Sequence, residues 1–251
     1  MWCTGPKINT CFVYQRFPVK EWAASSKSLA TARAYAASVV LPDGRIWVLG
    51  GAGSTNVLKT TEMIEAGEGA ITRVSPGPDL LQPLLGHCAA VVDSSKVVVI
   101  GGFSSEINDY NSKAQINDFS SQEWLTKSWM SPGARIDSSC LNVNIGEKRK
   151  VVVAGGWDNV ALQDTGYLTD DFHWNFFAGS ANNPEPLPFP LRSSVLIERS
   201  SVPYLIGGVQ CQPSGRPCSQ TTTGKNTILK SLLKLDICSI YVETMTLKIK
   251  T

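Results

Sequence analysis

Apolar residues fall along this chain in short unbroken runs, not in helical stripes. Four runs stand out: Arg45-Ile-Trp-Val-Leu, Lys96-Val-Val-Val-Ile, Lys150-Val-Val-Val-Ala and Val202-Pro-Tyr-Leu-Ile. Runs of this length, rich in β-branched residues and bounded by turn residues, predict strands covered on both faces. Each is preceded by a second strand candidate and a turn: 35–41 with Pro42-Asp43-Gly44, 88–93 with Ser94-Ser95, 140–145 with Gly146-Glu147, and 193–198 with Arg199-Ser200. One hairpin is thus written four times.

Each hairpin ends at a glycine pair: Gly50-Gly51, Gly101-Gly102, Gly155-Gly156 and Gly207-Gly208. The pairs begin at positions 50, 101, 155 and 207, at intervals of 51, 54 and 52. Paired glycines there predict a crowded, sharply bent backbone with no room for a Cβ. Further strand candidates follow, with a tryptophan after two of them: 113–120 then Trp124, and 166–171 then Trp174. The opening segment repeats this half-pattern, with 10–15 followed by Trp22. An aromatic on an outer strand is expected to seal the gap to the next repeat. In 228–251 helical and alternating spacings coexist, and the repeat register favours strands.

A period of ~50 residues, an apolar strand ending in Gly-Gly and a later tryptophan resemble the kelch repeat. The resemblance covers essentially the whole chain and implies an all-β, kelch-type β-propeller. It implies one domain, 1–251, with a half-blade at 1–22 and four four-stranded blades at about 23–75, 76–130, 131–178 and 179–251. Rings of this family close with more blades than that, so the expectation is an incomplete ring, a piece of a larger propeller. The resemblance also implies a non-catalytic scaffold whose partner is another protein.

Composition agrees with a packed core: 43% of residues are hydrophobic, 18% are charged, and the net charge is only +2. The densest cationic cluster, Lys148-Arg149-Lys150, sits between apolar runs and reads as a solvated hairpin turn, which argues against a nucleic-acid partner. No apolar stretch approaches the ~18 residues of a membrane helix, so membrane insertion is not expected. The amino terminus shows no signal-peptide core.

Of the seven cysteines, Cys3 with Cys11 and Cys211 with Cys218 enclose short loops rich in turn residues. They are either two hairpin disulfides, which would place the chain in an oxidising, extracellular setting, or unrelated free thiols. Cys88 and Cys140 lie in strand-like segments and read as small buried hydrophobes.

Strand direction puts the loops that begin at the glycine pairs on the same end as the links between repeats. Arg33, His87, Arg135 and Arg192, one per repeat, stand just before the first strand. They are read either as an anion-binding ring for carboxylates or phosphates, or as structural clamps. Phe103, Trp157 and Asp158 directly follow their glycine pairs. They are either contact hot spots or plugs at the loop base. With only His87 and His173, at different depths in a repeat, no metal site is expected, and no cofactor. Nucleophile-elbow, dinucleotide and P-loop motifs are absent. Beside the scaffold stands one alternative, a small-anion or glycan site on the arginine-bearing face, with or without catalysis of the oxidase or sialidase kind that some propellers carry.

Overall fold

Each valine-rich run becomes the second strand of a four-stranded antiparallel meander whose strand order follows the chain. Sheet I comprises Ala37–Val40, Ile46–Leu49, Thr61–Gly67 and Ala70–Gly77. Sheet II comprises Cys88–Val91, Lys96–Ile100, Ala114–Asp118 and Glu123–Lys127. Sheet III comprises Ser139–Ile145, Lys148–Ala154, Thr165–Leu168 and Trp174–Phe176. Sheet IV comprises Val195–Arg199, Val202–Ile206, Ser231–Lys234 and Thr244–Thr246. A separate hairpin, Ile8–Gln15 with Glu21–Arg33, precedes them. This is a computed structural model, and it describes residues 8–15, 21–67, 70–118, 121, 123–127, 133–145, 148–169, 173–176, 187, 190–199, 202–210, 231–234 and 244–246. All regular structure among the described residues is strand, so no helix there is long and apolar enough to cross a membrane.

The sheets face one another in chain order, and the first strands of consecutive sheets lie side by side. That stacking explains why the runs are apolar throughout. Val97 and Val99 pack with Val39, Trp47, Leu49 and Met63 of sheet I. Val98 and Ile100, pointing the other way, pack with Val151, Val153 and Leu168 of sheet III. Val152 and Ala154 then turn to Leu196 and Leu205 of sheet IV, with Leu187 and Leu191 of the intervening link. Successive strand residues point to opposite faces, so a strand sandwiched between two sheets needs apolar side chains at every position. Each such side chain contributes about 1.5–3 kcal/mol on burial.

Two of the three outer tryptophans seal the stack, and in the direction opposite to expectation. Trp124 packs back on sheet I, its ring centroid 5.4 Å from that of Trp47. Trp174 packs back on the core between sheets II and III. Trp22 lies on the opening hairpin, 5.4 Å from the Tyr14 ring and largely exposed.

The cysteine expectations also change. Cys88 and Cys140 are not free thiols but a disulfide, with Cα atoms 5.9 Å apart. They occupy the first strands of sheets II and III, which the stack brings together. Cys11 carries a free thiol. Cys3, Cys211 and Cys218 lie outside the described residues. Lys148, Arg149 and Lys150 belong to a strand and not to a turn. Arg149 pairs with Glu198 of sheet IV at 3.1 Å, and Lys150 sits over the Tyr167 ring.

The glycine pairs are as crowded as their spacing implies. A Cβ on Gly101 or Gly155 would lie 2.3 or 2.2 Å from the carbonyl oxygen of Arg135 or Leu191 in the following link. The second glycine of each of these pairs donates its N–H to that same carbonyl, Gly102 to Arg135 at 2.7 Å and Gly156 to Leu191 at 2.8 Å. All eight glycines have positive φ, the left-handed region that side chains disfavour.

Candidate functional site

Four left-handed residues tie the links together and set their register. Tyr35, Gly86, Asp137 and Ser193, with φ of 55, 65, 56 and 55°, stand just before the first strands of sheets I to IV. Gly86 N–H donates to Tyr35 O at 3.0 Å, Asp137 N–H to Gly86 O at 2.8 Å, and Ser193 N–H to Asp137 O at 2.8 Å. One residue earlier, each link pairs with the residue after the glycine pair: Ala34 with Ala52, Leu85 with Phe103, Ile136 with Trp157 and Arg192 with Val209. Links and glycine-pair loops therefore share one end of the stack.

Aligned on these bonds, the four cationic residues are not equivalents. Arg33 and Arg135 share one position, which Leu84 fills before sheet II and Leu191 before sheet IV. Arg192 corresponds to Ala34, Leu85 and Ile136. His87 lies three residues beyond the arginine position. Each left-handed residue stands two positions before its first strand, so the offset emerges once the strands are seen to start at 37, 88, 139 and 195; the sequence candidates, starting at 35, 88, 140 and 193, hid it.

Arg33 and Arg135 are buried clamps. Arg33 donates through Nη1 to Gly50 O at 2.7 Å and Thr60 O at 2.9 Å, and through Nη2 to Glu62 Oε1 at 2.6 Å. The Glu62 carboxylate also accepts from the backbone of Ala30 and Thr31. Arg135 donates to Gly155 O at 3.0 Å and holds Asp164 at two points, 2.9 and 2.8 Å. In both cases the carboxylate lies 29 residues downstream. That repeated interval is the sequence signal by which Glu62 and Asp164 could have been found. Sheet II, with Leu84 at the arginine position, uses a different side chain: Asn111 Nδ2 donates to Gly101 O at 3.1 Å and Lys113 O at 2.7 Å. The first glycine carbonyl is thereby satisfied in sheets I, II and III, where an unpaired buried carbonyl would cost roughly 1–3 kcal/mol.

His87 is buried, and neither ring nitrogen has a hydrogen-bond partner. It packs between Gly50 and Gly102. Burial pushes its pKa down to about 4, against a smaller upward pull from the Leu49 backbone. It is a neutral core group, not a ligand at the surface.

Arg192 differs from both clamps. Its guanidinium carbon sits 5.0 Å from the centroid of the Trp157 ring. Among the described residues no carboxylate lies within ion-pairing distance of it, and its Nε is buried without a partner. Its charge acts on Asp137, whose side chain Ser193 hydrogen-bonds. Burial raises the pKa of Asp137, with the Arg192 charge and the Ser193 bond acting in the opposite direction.

Phe103 and Trp157 are both half-buried. Phe103 pairs with Leu85 and Tyr110 and meets the Tyr110 ring edge-on at 6.4 Å, which makes it in large part a plug. Asp158 lies in a tight two-strand turn through left-handed Asn159, which contacts its carboxylate. Among the described residues no three His, Cys, Asp or Glu side chains converge as a metal site would require.

The same end exposes apolar side chains: Tyr35, Ile107 in the loop after Gly102, and Val209. Among the described residues the arrangement can offer an apolar contact surface with one available guanidinium, that of Arg192. No protein-family model matches the chain, and no curated protein matches it.

Proposed function

We propose that the chain is a kelch-type β-propeller segment that serves as a non-catalytic scaffold for another protein, gripped by the loops at the glycine-pair end. Four like meanders stacked in chain order, joined by a hydrogen-bonded belt of left-handed residues, support the propeller assignment. The observation that carries the function is the fate of the arginines. Arg33 and Arg135 are consumed inside the fold, and the end they brace exposes loops carrying Tyr35, Ile107 and Val209 on a rigid framework. Such a surface suits a protein partner better than a small polyanion or nucleic acid, which need several free cations. The disulfide between sheets II and III favours an oxidising compartment.

A small-anion or glycan site keeps one supporting observation, the unpaired Arg192. The two readings separate by site-specific photocrosslinking. A photoreactive residue at Ile107 or Val209 is expected to give discrete, saturable protein adducts. The same residue at Asp43, in the turn at the opposite end, is expected to give none. Absence of loop-end adducts, with sialylated or sulfated glycans binding on an array, would sink the scaffold reading.

A further inference from the structure

We infer that Arg192, held over Trp157, is the anchor for a carboxylate side chain of the partner, so that the scaffold selects an acidic residue flanked by apolar ones. The inference rests on the scaffold reading and specifies what is bound. At the position Arg192 fills, the other links carry Ala34, Leu85 and Ile136, all apolar. An arginine there has no clamping role, because its backbone pairs with Val209 while its side chain reaches across to the loop of the preceding sheet. Cation–π contact holds the head group in place, so little freedom remains to be lost on binding. The planar fork of donors is left for an acceptor that the described residues do not provide.

One guanidinium matches one monovalent carboxylate in two-point geometry. A phosphate dianion is disfavoured, since Asp137 lies nearby and, among the described residues, the other arginines of this end, Arg33 and Arg135, are engaged. Apolar flanks follow from the surroundings, with the exposed Val209 paired to Arg192 and the half-buried Trp157 ring beneath it.

The test uses the full chain as bait for random-peptide phage display, with selected peptides remade and measured by fluorescence polarisation. Selected sequences are expected to share a Glu or Asp between apolar residues. Changing that acid to its amide should weaken binding to the wild type by about tenfold or more, and change nothing further against Arg192→Met. Arg192→Lys should restore part of the loss. Peptides that lack an acid, or that bind Arg192→Met equally well, overturn the inference while leaving the scaffold reading in place. No selected peptide, together with Arg192-dependent stabilisation by sialyllactose or sulfate, overturns both. No selected peptide and no such stabilisation overturns the inference.

Discussion

The Arg135 guanidinium grips Asp164 at two points, 2.9 and 2.8 Å, while also donating to the Gly155 carbonyl. One side chain thus closes the loop of sheet III onto the link that feeds it. Arg135→Met should cost about 2–4 kcal/mol in urea unfolding, because a buried carbonyl and a carboxylate lose their donor together. The half-exposed Asp164 can turn to water, which keeps the loss below that of a fully buried pair. Arg192→Met should cost less than about 1 kcal/mol, the scale of a cation–π contact. Equal losses would mean that Arg192 is a clamp too.

Glycine replacements should divide by surroundings, not by φ. Gly155 and Gly207 have similar φ, +59 and +67°. A Cβ at Gly155 meets the Leu191 carbonyl at 2.2 Å, whereas at Gly207 it meets none of the described residues within 4 Å. Gly207→Ala should cost about 1–2 kcal/mol, the left-handed penalty alone. Gly155→Ala should cost at least twice that, read as a lower urea midpoint, since the following link must move.

His87 makes stability depend on pH. The folded protein holds the imidazole neutral down to about pH 4, while the unfolded chain protonates it near 6.5. Between those values the unfolded state binds more protons, so stability falls as the solution is acidified and is fully present above about 6.5. The group should account for roughly 3 kcal/mol across that window. In His87→Leu the dependence should flatten by that amount. Because neither ring nitrogen makes a well-formed hydrogen bond and the Leu49 backbone pulls on the ring only weakly, the variant should be about as stable at neutral pH. Urea titrations of both proteins between pH 4 and 7 give the comparison, and parallel profiles would contradict it.

The disulfide should matter mostly through the unfolded chain. Cys88 and Cys140 are 52 residues apart, and closing a loop of that length is worth about 4 kcal/mol by chain entropy. A Cys88→Ala, Cys140→Ala double variant should lose stability on that scale, and reductant should lower the wild-type midpoint but leave the variant unmoved.

The strands were legible because two-sided burial writes itself into local composition. A short β-branched run such as Val97–Ile100, bounded by turn residues, reads as a strand covered on both faces, and the recurring glycines marked where each hairpin meets the next link. The end of the stack that carries the loops was legible too, since antiparallel order fixes it. The site itself was legible only in its residue names. Arg33, Arg135 and Arg192 look alike along the chain, and the offset that separates them depends on where a left-handed residue and its hydrogen bond fall in three-dimensional register.

The amino-acid order alone therefore established a fourfold hairpin repeat, its all-β character and the crowding at its glycines, because these follow from short-range periodicity and from what a missing Cβ permits. Tertiary structure decided which arginine is engaged and which is open, that Cys88 meets Cys140, and that Trp124 and Trp174 lean back on the sheets before them. Those outcomes depend on contacts between residues tens of positions apart, and no local pattern encodes the alignment of one sheet on the next.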